Sequence, residues 1–299
     1  MDRHPSTNHN KTLAVIGLLV VLALSACTRG ATVLPADSPT LMPAEATQPA
    51  LTAMATPESE PEGCQETGSV ERFELESPLM AGTLAVSVYL PPCYDPAKEG
   101  GYPALYLLHG QTYTDSMWLD LGAADIADAM ITSGEAPPFI MVMPFEEFYY
   151  RKAAGNRYPD AIVDEVVPWV ESAFNACPQR ECRAIGGISR GASWSVRIGM
   201  MHWQVFSAMG LHSLPDFLGR ADAVAGWLDA IPRDSAPRIY MDSGQLDTEL
   251  GIAASVEQVF TRKAIPHEWH LNPGRHDVDY WQAHIAEYLR WYAAGFPAD

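Results

Sequence analysis

Residues 183–202, RAIGGISRGASWSVRIGMMH, join an apolar run to a helical pattern through a glycine-rich turn. The first six residues are typical of a buried strand, and residues 194–202 have the apolar spacing of a helix. Ser189 stands at the centre of the turn, in the pattern Gly-x-Ser-x-Gly. On such a strand-to-helix turn a serine hydroxyl projects above the strand end, and small neighbours keep the backbone free of clashes. The alternative is a serine that caps the helix; its place directly after an apolar strand favours a nucleophile.

The body of the chain alternates strand and helix patterns on both sides of this stretch. Residues 73–76 and 83–90 alternate apolar and polar side chains, as half-buried antiparallel strands do. Residues 104–108 and 139–143 are continuous apolar runs, which are typical of parallel strands covered on both faces. Further strands are predicted at 183–188, 206–211, 238–241 and 268–271, and helices at 123–133, 160–174, 194–202, 253–263 and 280–294. This alternation predicts one three-layer α/β domain, with a mostly parallel central sheet and helices on both faces.

The N-terminal residues carry the features of an export signal. Arg3 and Lys11 precede an apolar run of about 15 residues, which is shorter than the roughly 20 needed to span a bilayer. A basic start, a short apolar core and a small-residue exit are the parts of a secretory signal. The exit, residues 24–27 (LSAC), resembles the lipobox of bacterial lipoproteins. That resemblance implies that residues 1–26 are removed and that Cys27 is acylated; the alternative is an ordinary signal peptide with a chance cysteine.

Composition separates a linker from the folded domain. Residues 27–62 are rich in Pro, Ala, Thr and Ser, contain no aromatic residue and cannot bury enough surface to fold. We therefore expect a linker there and the catalytic domain at residues 63–299.

The net charge bears on the partners of the protein. The 299-residue chain has a formal net charge of −18, so it is not suited to neutralise the phosphates of a nucleic acid, and no nucleic-acid partner is expected. Anionic lipid is disfavoured for the same reason, so the membrane contact would be the lipid anchor alone.

Four further cysteines predict disulfides in an exported protein. Cys64 and Cys93 flank the opening pair of strands, and Cys177 and Cys182 bracket a short turn that contains a proline. We favour the pairs Cys64–Cys93 and Cys177–Cys182; free buried thiols are the alternative.

A serine nucleophile needs a base, and the base needs an acid that orients it. His276 lies between the last predicted strand and the last helix, at the same sheet edge as Ser189. Asp242 and Asp247 compete for the role of the acid. Asp242 ends a strand, whereas Asp247 lies beyond a glycine turn, where its carboxylate can reach an imidazole. We favour Asp247.

Catalysis also needs N–H donors for a developing oxyanion. The backbone N–H of Arg190 follows the nucleophile directly, and the loop after residues 104–108 offers the N–H of Gln111. Three aromatic residues lie in loops after the strands and are candidates for the substrate pocket: Tyr113, Trp118 and Tyr149. Aromatic side chains of this kind are suited to bind sugars or phenolic acids; the alternative is that they only pack the loops. No phosphate-binding loop, HExxH or EF-hand pattern is present, so no cofactor or metal is expected.

Four motifs in order resemble the esterase D-like branch of the α/β-hydrolases, which includes feruloyl and acetylxylan esterases, enterochelin-type esterases and mycolyltransferases. They are residues 106–110 (YLLHG), 187–191 (GISRG), 244–247 (GQLD) and 274–277 (GRHD), with Trp281 following. The resemblance spans about residues 71–296. It implies Ser189 as nucleophile, Asp247 as acid, His276 as base, and Arg190 and Gln111 as oxyanion donors. Residues 143–147 (MPFEE) depart from the family, since many members have a Pro-Asp-Gly turn there.

These observations predict a serine carboxylic-ester hydrolase that forms an acyl-enzyme and is held outside the bacterial cell membrane by a lipid. The expected substrate is a small-molecule or carbohydrate-linked ester, with an acetyl, feruloyl or siderophore-type acid. An acyltransferase would use the same three residues with an alcohol as acceptor. The alternative outside the enzymes is a lipoprotein that has the hydrolase fold but only binds its ligand and does not catalyse a reaction.

Overall fold

A computed structural model describes residues 67–297, apart from 148–149, 151–153 and 218–219. The chain divides into two units, Met1–Glu58 and Ser59–Asp299, and the described residues all belong to the second. The export signal, Cys27 and the linker lie outside the described residues. The boundaries 1–26, 27–62 and 63–299 therefore remain predictions.

In the described part of the chain, eight strands form one sheet in the order β1-β2-β4-β3-β5-β6-β7-β8. The strands are β1 (Ser69–Ser77), β2 (Gly82–Leu90), β3 (Ala104–Leu108), β4 (Ile140–Pro144), β5 (Arg183–Ile188), β6 (Ala208–His212), β7 (Arg238–Gly244) and β8 (Glu268–Asn272). β2 is antiparallel to both β1 and β4, and the other neighbouring pairs are parallel. The residues of β3, β4, β5 and β6 are all buried, as continuous apolar runs predict. The predicted mostly parallel sheet is confirmed.

Helices cover both faces of this sheet. They are α1 (Met117–Asp120), α2 (Ala123–Thr132), α3 (Tyr158–Ala161), α4 (Val167–Ala173), α5 (Arg190–Met201), α6 (Ala221–Asp229), α7 (Leu250–Arg262) and α8 (Val278–Ala293). Apolar residues of α1, α2 and α8 form one core cluster, and those of α3 to α7 form the other. The three-layer prediction is therefore confirmed. None of the helices in the described ranges is long and apolar enough to cross a membrane.

The predicted helix at 160–174 is divided, as its proline indicates. A π-helical turn, Ile162–Val166, separates α3 from α4, and Pro168 lies in the first turn of α4. Proline has no N–H to donate to the carbonyl of the residue four positions before it, so a regular helix cannot pass through this point. The irregular turn places Glu165 where its carboxylate accepts the N–H of Leu79 at 3.0 Å.

Helix α8 is set close to the centre of the sheet by two glycines. A Cβ atom at Gly186 of β5 or at Gly210 of β6 would collide with the Tyr292 hydroxyl, so α8 can approach only because both residues lack one. The Tyr292 hydroxyl lies 2.9 Å from His212 Nε2. This close packing fixes the last turns of α8 against the sheet; the start of the helix, which directly follows the loop that carries His276, is capped by the Asp277 side chain, which accepts the N–H of Tyr280.

The structure contains the predicted disulfide between Cys177 and Cys182, with their Cα atoms 5.9 Å apart. It closes a short loop before β5, for which the chain-entropy estimate is about 2 kcal/mol. Cys93 is also disulfide-bonded. Its predicted partner Cys64 lies outside the described residues, so the pair Cys64–Cys93 remains a prediction.

Candidate active site

Ser189 occupies a strained turn between β5 and α5. Its φ of 54° and ψ of −118° are unusual for a residue with a side chain, which is typical of a nucleophile on a strand-to-helix turn. A Cβ on Gly187 would collide with the backbone of Gly191, and one on Gly191 would collide with the carbonyl of Leu108. The glycines on both sides of Ser189 are therefore required by the backbone packing.

The structure brings Ser189, His276 and Asp247 together from three different loops. His276 Nε2 lies 2.8 Å from Ser189 Oγ, and His276 Nδ1 lies 2.9 and 3.0 Å from the two carboxylate oxygens of Asp247. A carboxylate only accepts, so Nδ1 carries the proton and Nε2 is free to accept the serine hydroxyl proton. His276 keeps 21% of its side chain exposed, whereas the Asp247 side chain is buried. This is the geometry of a nucleophile, a base and an orienting acid.

Asp247 is held as a carboxylate. Burial acts to raise its pKa, but hydrogen bonds from His276 and from the N–H of Glu249, at 2.7 Å, outweigh burial and leave the pKa below its ordinary value. The group is therefore ionised at neutral pH. Ionised Asp247 stabilises the folded protein at every pH above the ordinary pKa of an aspartate. This stabilisation is lost as the pH falls through the lowered pKa of Asp247.

The competing carboxylate, Asp242, serves a different network. One of its oxygens accepts His212 Nδ1 at 2.7 Å, and the other accepts the hydroxyls of Tyr280 and Tyr288, each at 2.6 Å. Asp242 is 0% exposed and joins the ends of β6 and β7 to α8 beneath the site. Its oxygens are thus committed to the packing of α8, while Asp247 faces the imidazole of His276.

The two predicted oxyanion donors belong to two different segments, the start of α5 and the turn after β3. Helix α5 begins at Arg190, earlier than its apolar pattern predicts, so the Arg190 N–H belongs to the positive end of a helix dipole. Gln111 is exposed in the turn after β3, and its N–H has no protein acceptor among the described residues. The assignment of these two N–H groups as oxyanion donors remains a prediction.

The structure places the three candidates for the substrate pocket in different surroundings. Tyr113 is half-buried and packs edge to face on Trp281 with ring centroids 6.3 Å apart; Trp281 in turn packs edge to face on His276. The prediction that Trp118 lines the pocket is wrong. Its side chain is 0% exposed, because the indole N–H donates to the Leu108 carbonyl at 3.2 Å and the ring packs in the core. Tyr149 lies outside the described residues.

Sequence reasoning missed Glu146 as a residue of the site. This carboxylate follows β4, is 2% exposed and forms an ion pair with Arg190, the residue after the nucleophile. The signal was present in the sequence as a charged residue two positions after a buried strand, in the segment that departs from the family pattern. Over the described residues, no group of three or more His, Cys, Asp or Glu side chains is placed to hold a metal ion.

The fold and this site define the chain as an α/β-hydrolase. Residues 77–292 match the family model described as "Putative esterase", so the chain belongs to that family of esterases.

Solved structures share the fold over most of the chain. A ferulic acid esterase has a TM-score of 0.69 at 24% identity and covers 77% of this chain and 100% of its own. The S-formylglutathione hydrolase of Staphylococcus aureus has a TM-score of 0.66 at 19% identity and covers 77% of this chain and 98% of its own.

Curated relatives match over a shorter region. An endo-1,4-beta-xylanase/feruloyl esterase of Xylanibacter ruminicola is 28% identical over 49% of this chain and 22% of its own length. An esterase of Mycobacterium tuberculosis is 28% identical over 45% of this chain and 30% of its own length. The chain thus spans less than a third of each of these relatives.

Proposed function

We propose that this protein is a serine carboxylic-ester hydrolase that acts through an acyl-enzyme. The observation that carries the proposal is the continuous hydrogen-bonded path from Ser189 Oγ through His276 to Asp247, with distances of 2.8 and 2.9 Å. A serine hydroxyl is a weak nucleophile at neutral pH, and this path supplies the base and the charge that the reaction needs. Membership of an esterase family gives independent support.

The side chains present support each step of the reaction. Ser189 Oγ attacks the carbonyl carbon of the ester while His276 Nε2 takes the hydroxyl proton, and Asp247 stabilises the resulting imidazolium. The carbonyl oxygen gains negative charge and accepts the N–H groups of Arg190 and Gln111. The C–O bond to the alcohol then breaks, and His276 returns its proton to the leaving oxygen. A water molecule, deprotonated by His276, then attacks the acyl carbon; the bond from that carbon to Ser189 Oγ breaks, His276 returns the proton to Oγ, and the acid is released.

We propose an ester of an aromatic acid, such as a feruloyl ester, as the substrate class. Relatives and solved structures of similar fold are named as feruloyl or ferulic acid esterases. The Tyr113–Trp281 pair beside His276 supplies aromatic surface near the reacting atoms. Aromatic side chains are suitable for packing against a phenolic ring.

A panel of esters with the whole protein tests the function. We expect turnover of methyl ferulate and p-nitrophenyl acetate, with one equivalent of free acid released for each alcohol. With a second alcohol added as acceptor, free acid should remain the main product; a new ester as the main product would instead identify an acyltransferase. Tight binding of ferulate without turnover of any ester would contradict the proposal and favour a binding protein.

The place of action is a further part of the proposal. The lipobox-like residues 24–27 and the linker at 27–62 support a domain tethered outside the cell membrane through acylated Cys27. Mass spectrometry of the mature N-terminus should find an acyl group on Cys27. An unmodified N-terminus beyond Cys27 would exclude the anchor.

A further inference from the structure

The oxyanion donors of the proposed reaction come from two segments that are far apart in sequence. Arg190 begins α5, whereas Gln111 follows β3. Stabilisation of an oxyanion depends on donors held within hydrogen-bond distance of one point, so both peptide groups need a fixed position. Glu146 contacts both segments: its carboxylate binds the Arg190 side chain, and its backbone N–H is linked through His109 to the peptide group of Gln111.

The carboxylate of Glu146 holds the first turn of α5. Its two oxygens accept Arg190 Nε at 2.6 Å and Arg190 Nη2 at 2.7 Å, which is a bidentate ion pair. Trp194, one turn further along α5, donates its indole N–H to the same carboxylate at 2.7 Å. Phe217 covers the guanidinium, with its ring centroid 3.7 Å away. The side chain of Arg190 is therefore fixed at the first residue of α5, whose backbone N–H is the first of the two proposed oxyanion donors.

The backbone of Glu146 reaches the second donor through His109. The N–H of Glu146 donates to His109 Nε2 at 2.8 Å, so Nδ1 carries the imidazole proton and donates to the Gly110 carbonyl, also at 2.8 Å. That carbonyl and the N–H of Gln111 belong to the same planar peptide group. Fixing the direction of one therefore fixes the direction of the other.

The surroundings of His109 keep its ring neutral. His109 is 3% exposed, and burial lowers its pKa, although the hydrogen bond to Gly110 and the nearby carboxylates of Glu146 and Asp115 act to raise it; Arg190 acts in the same direction as burial. A neutral ring can accept from Glu146 and donate to Gly110 at the same time, whereas a protonated ring could only donate. The link between the two segments thus requires the neutral form.

We propose that Glu146 is the positioning residue of the oxyanion site, with its carboxylate fixing Arg190 and its backbone N–H fixing the Gly110–Gln111 peptide through His109. The proposal deepens the function proposed above and rests on it. Glu146 does not touch the reacting atoms. It acts through the placement of two N–H groups, so its loss should slow the chemical step more than it weakens substrate binding.

Glu146→Gln tests the carboxylate arm. Glutamine keeps the size and an acceptor for Trp194, but it removes the negative charge from Arg190. We expect kcat for p-nitrophenyl acetate to fall about 100-fold while KM stays within about threefold, because the loss of one oxyanion donor has effects of this order. The midpoint of the acid limb of the pH profile should not move, since His276 and Asp247 are untouched.

Glu171→Gln is the matched control. Glu171 of α4 pairs with Arg183 at the start of β5, the end of the strand opposite Ser189. This variant also removes a carboxylate from an arginine, but its kcat should equal that of the wild type. A kcat for Glu146→Gln that matches the control would overturn the proposal.

Variants of His109 test the backbone arm, and they decide the matter if Glu146→Gln does not fold. His109→Ala removes the side-chain donor to the Gly110 carbonyl, which then keeps only the longer hydrogen bond from the Tyr113 N–H at 3.2 Å, and should lower kcat about 100-fold. His109→Asn places a side-chain N–H near the position of Nδ1 and should recover at least a tenth of the wild-type kcat. Equal activity in the two variants would contradict the proposal. A wild-type protein that turns over no ester would refute the proposed function itself, which is a separate outcome.

Discussion

Ser189→Ala should reduce kcat for ester hydrolysis by a factor on the order of 10⁴ or more. The substitution removes the atom that forms the acyl-enzyme, and the oxyanion donors and the binding surface that remain can supply only a small residual rate. The hydroxyl contacts His276 at 2.8 Å and carries no part of the core, so the melting temperature should stay close to that of the wild type. Steady-state kinetics with p-nitrophenyl acetate and a thermal melt measure both quantities. Near-normal turnover would remove Ser189 from the mechanism.

Asp247→Asn should lower kcat by about 10⁴-fold in a protein that still folds. The amide of asparagine can donate to Nδ1 of His276, which favours the tautomer that leaves no acceptor at Nε2 for the serine proton. Kinetics across the pH range should show the loss at every pH at which the wild type is active.

Asp242→Asn is the matched comparison for this effect. Its carboxylate accepts His212, Tyr280 and Tyr288 in the core, so the variant should lose stability while the folded fraction keeps a kcat within a few-fold of the wild type. Thermal melts together with active-site titration separate the two effects. A larger loss of kcat at Asp242 than at Asp247 would reverse the assignment of the acid.

The local patterns around Ser189 were sufficient to predict the fold and the arrangement of Ser189, His276 and Asp247. The glycines on both sides of the serine and the apolar run before it specify a strand, a tight turn and a helix within a few residues. Parallel strands in turn bring their carboxyl ends to one sheet edge, so His276 and Asp247 could be placed beside Ser189 from the strands that their loops follow; the glycine turn before Asp247 favoured it over Asp242. Helix α6 was missed because its apolar stripe is short, with Val224 and Leu228 as its buried residues.

Contacts between distant segments could not be predicted in this way. Trp118 follows a strand, as a pocket residue would, but its position is decided by the Leu108 carbonyl and by His212 and Tyr288 in the core. Glu146 is a charged residue after an apolar strand, and its partner Arg190 lies 44 positions later in the chain. A single sequence shows the residue types but not which pairs meet, so the ion pair became visible only in the structure.

Mapping of a covalent adduct tests the central claim most directly. The protein is treated with a fluorophosphonate, whose phosphorus forms a stable bond to an activated serine oxygen with release of fluoride. Intact mass spectrometry should show one adduct for each chain, and peptide mapping should place it on Ser189; the adduct should be absent from Ser189→Ala. Hydrolysis of esters by a protein that carries the adduct on another residue, or carries none, would contradict the account.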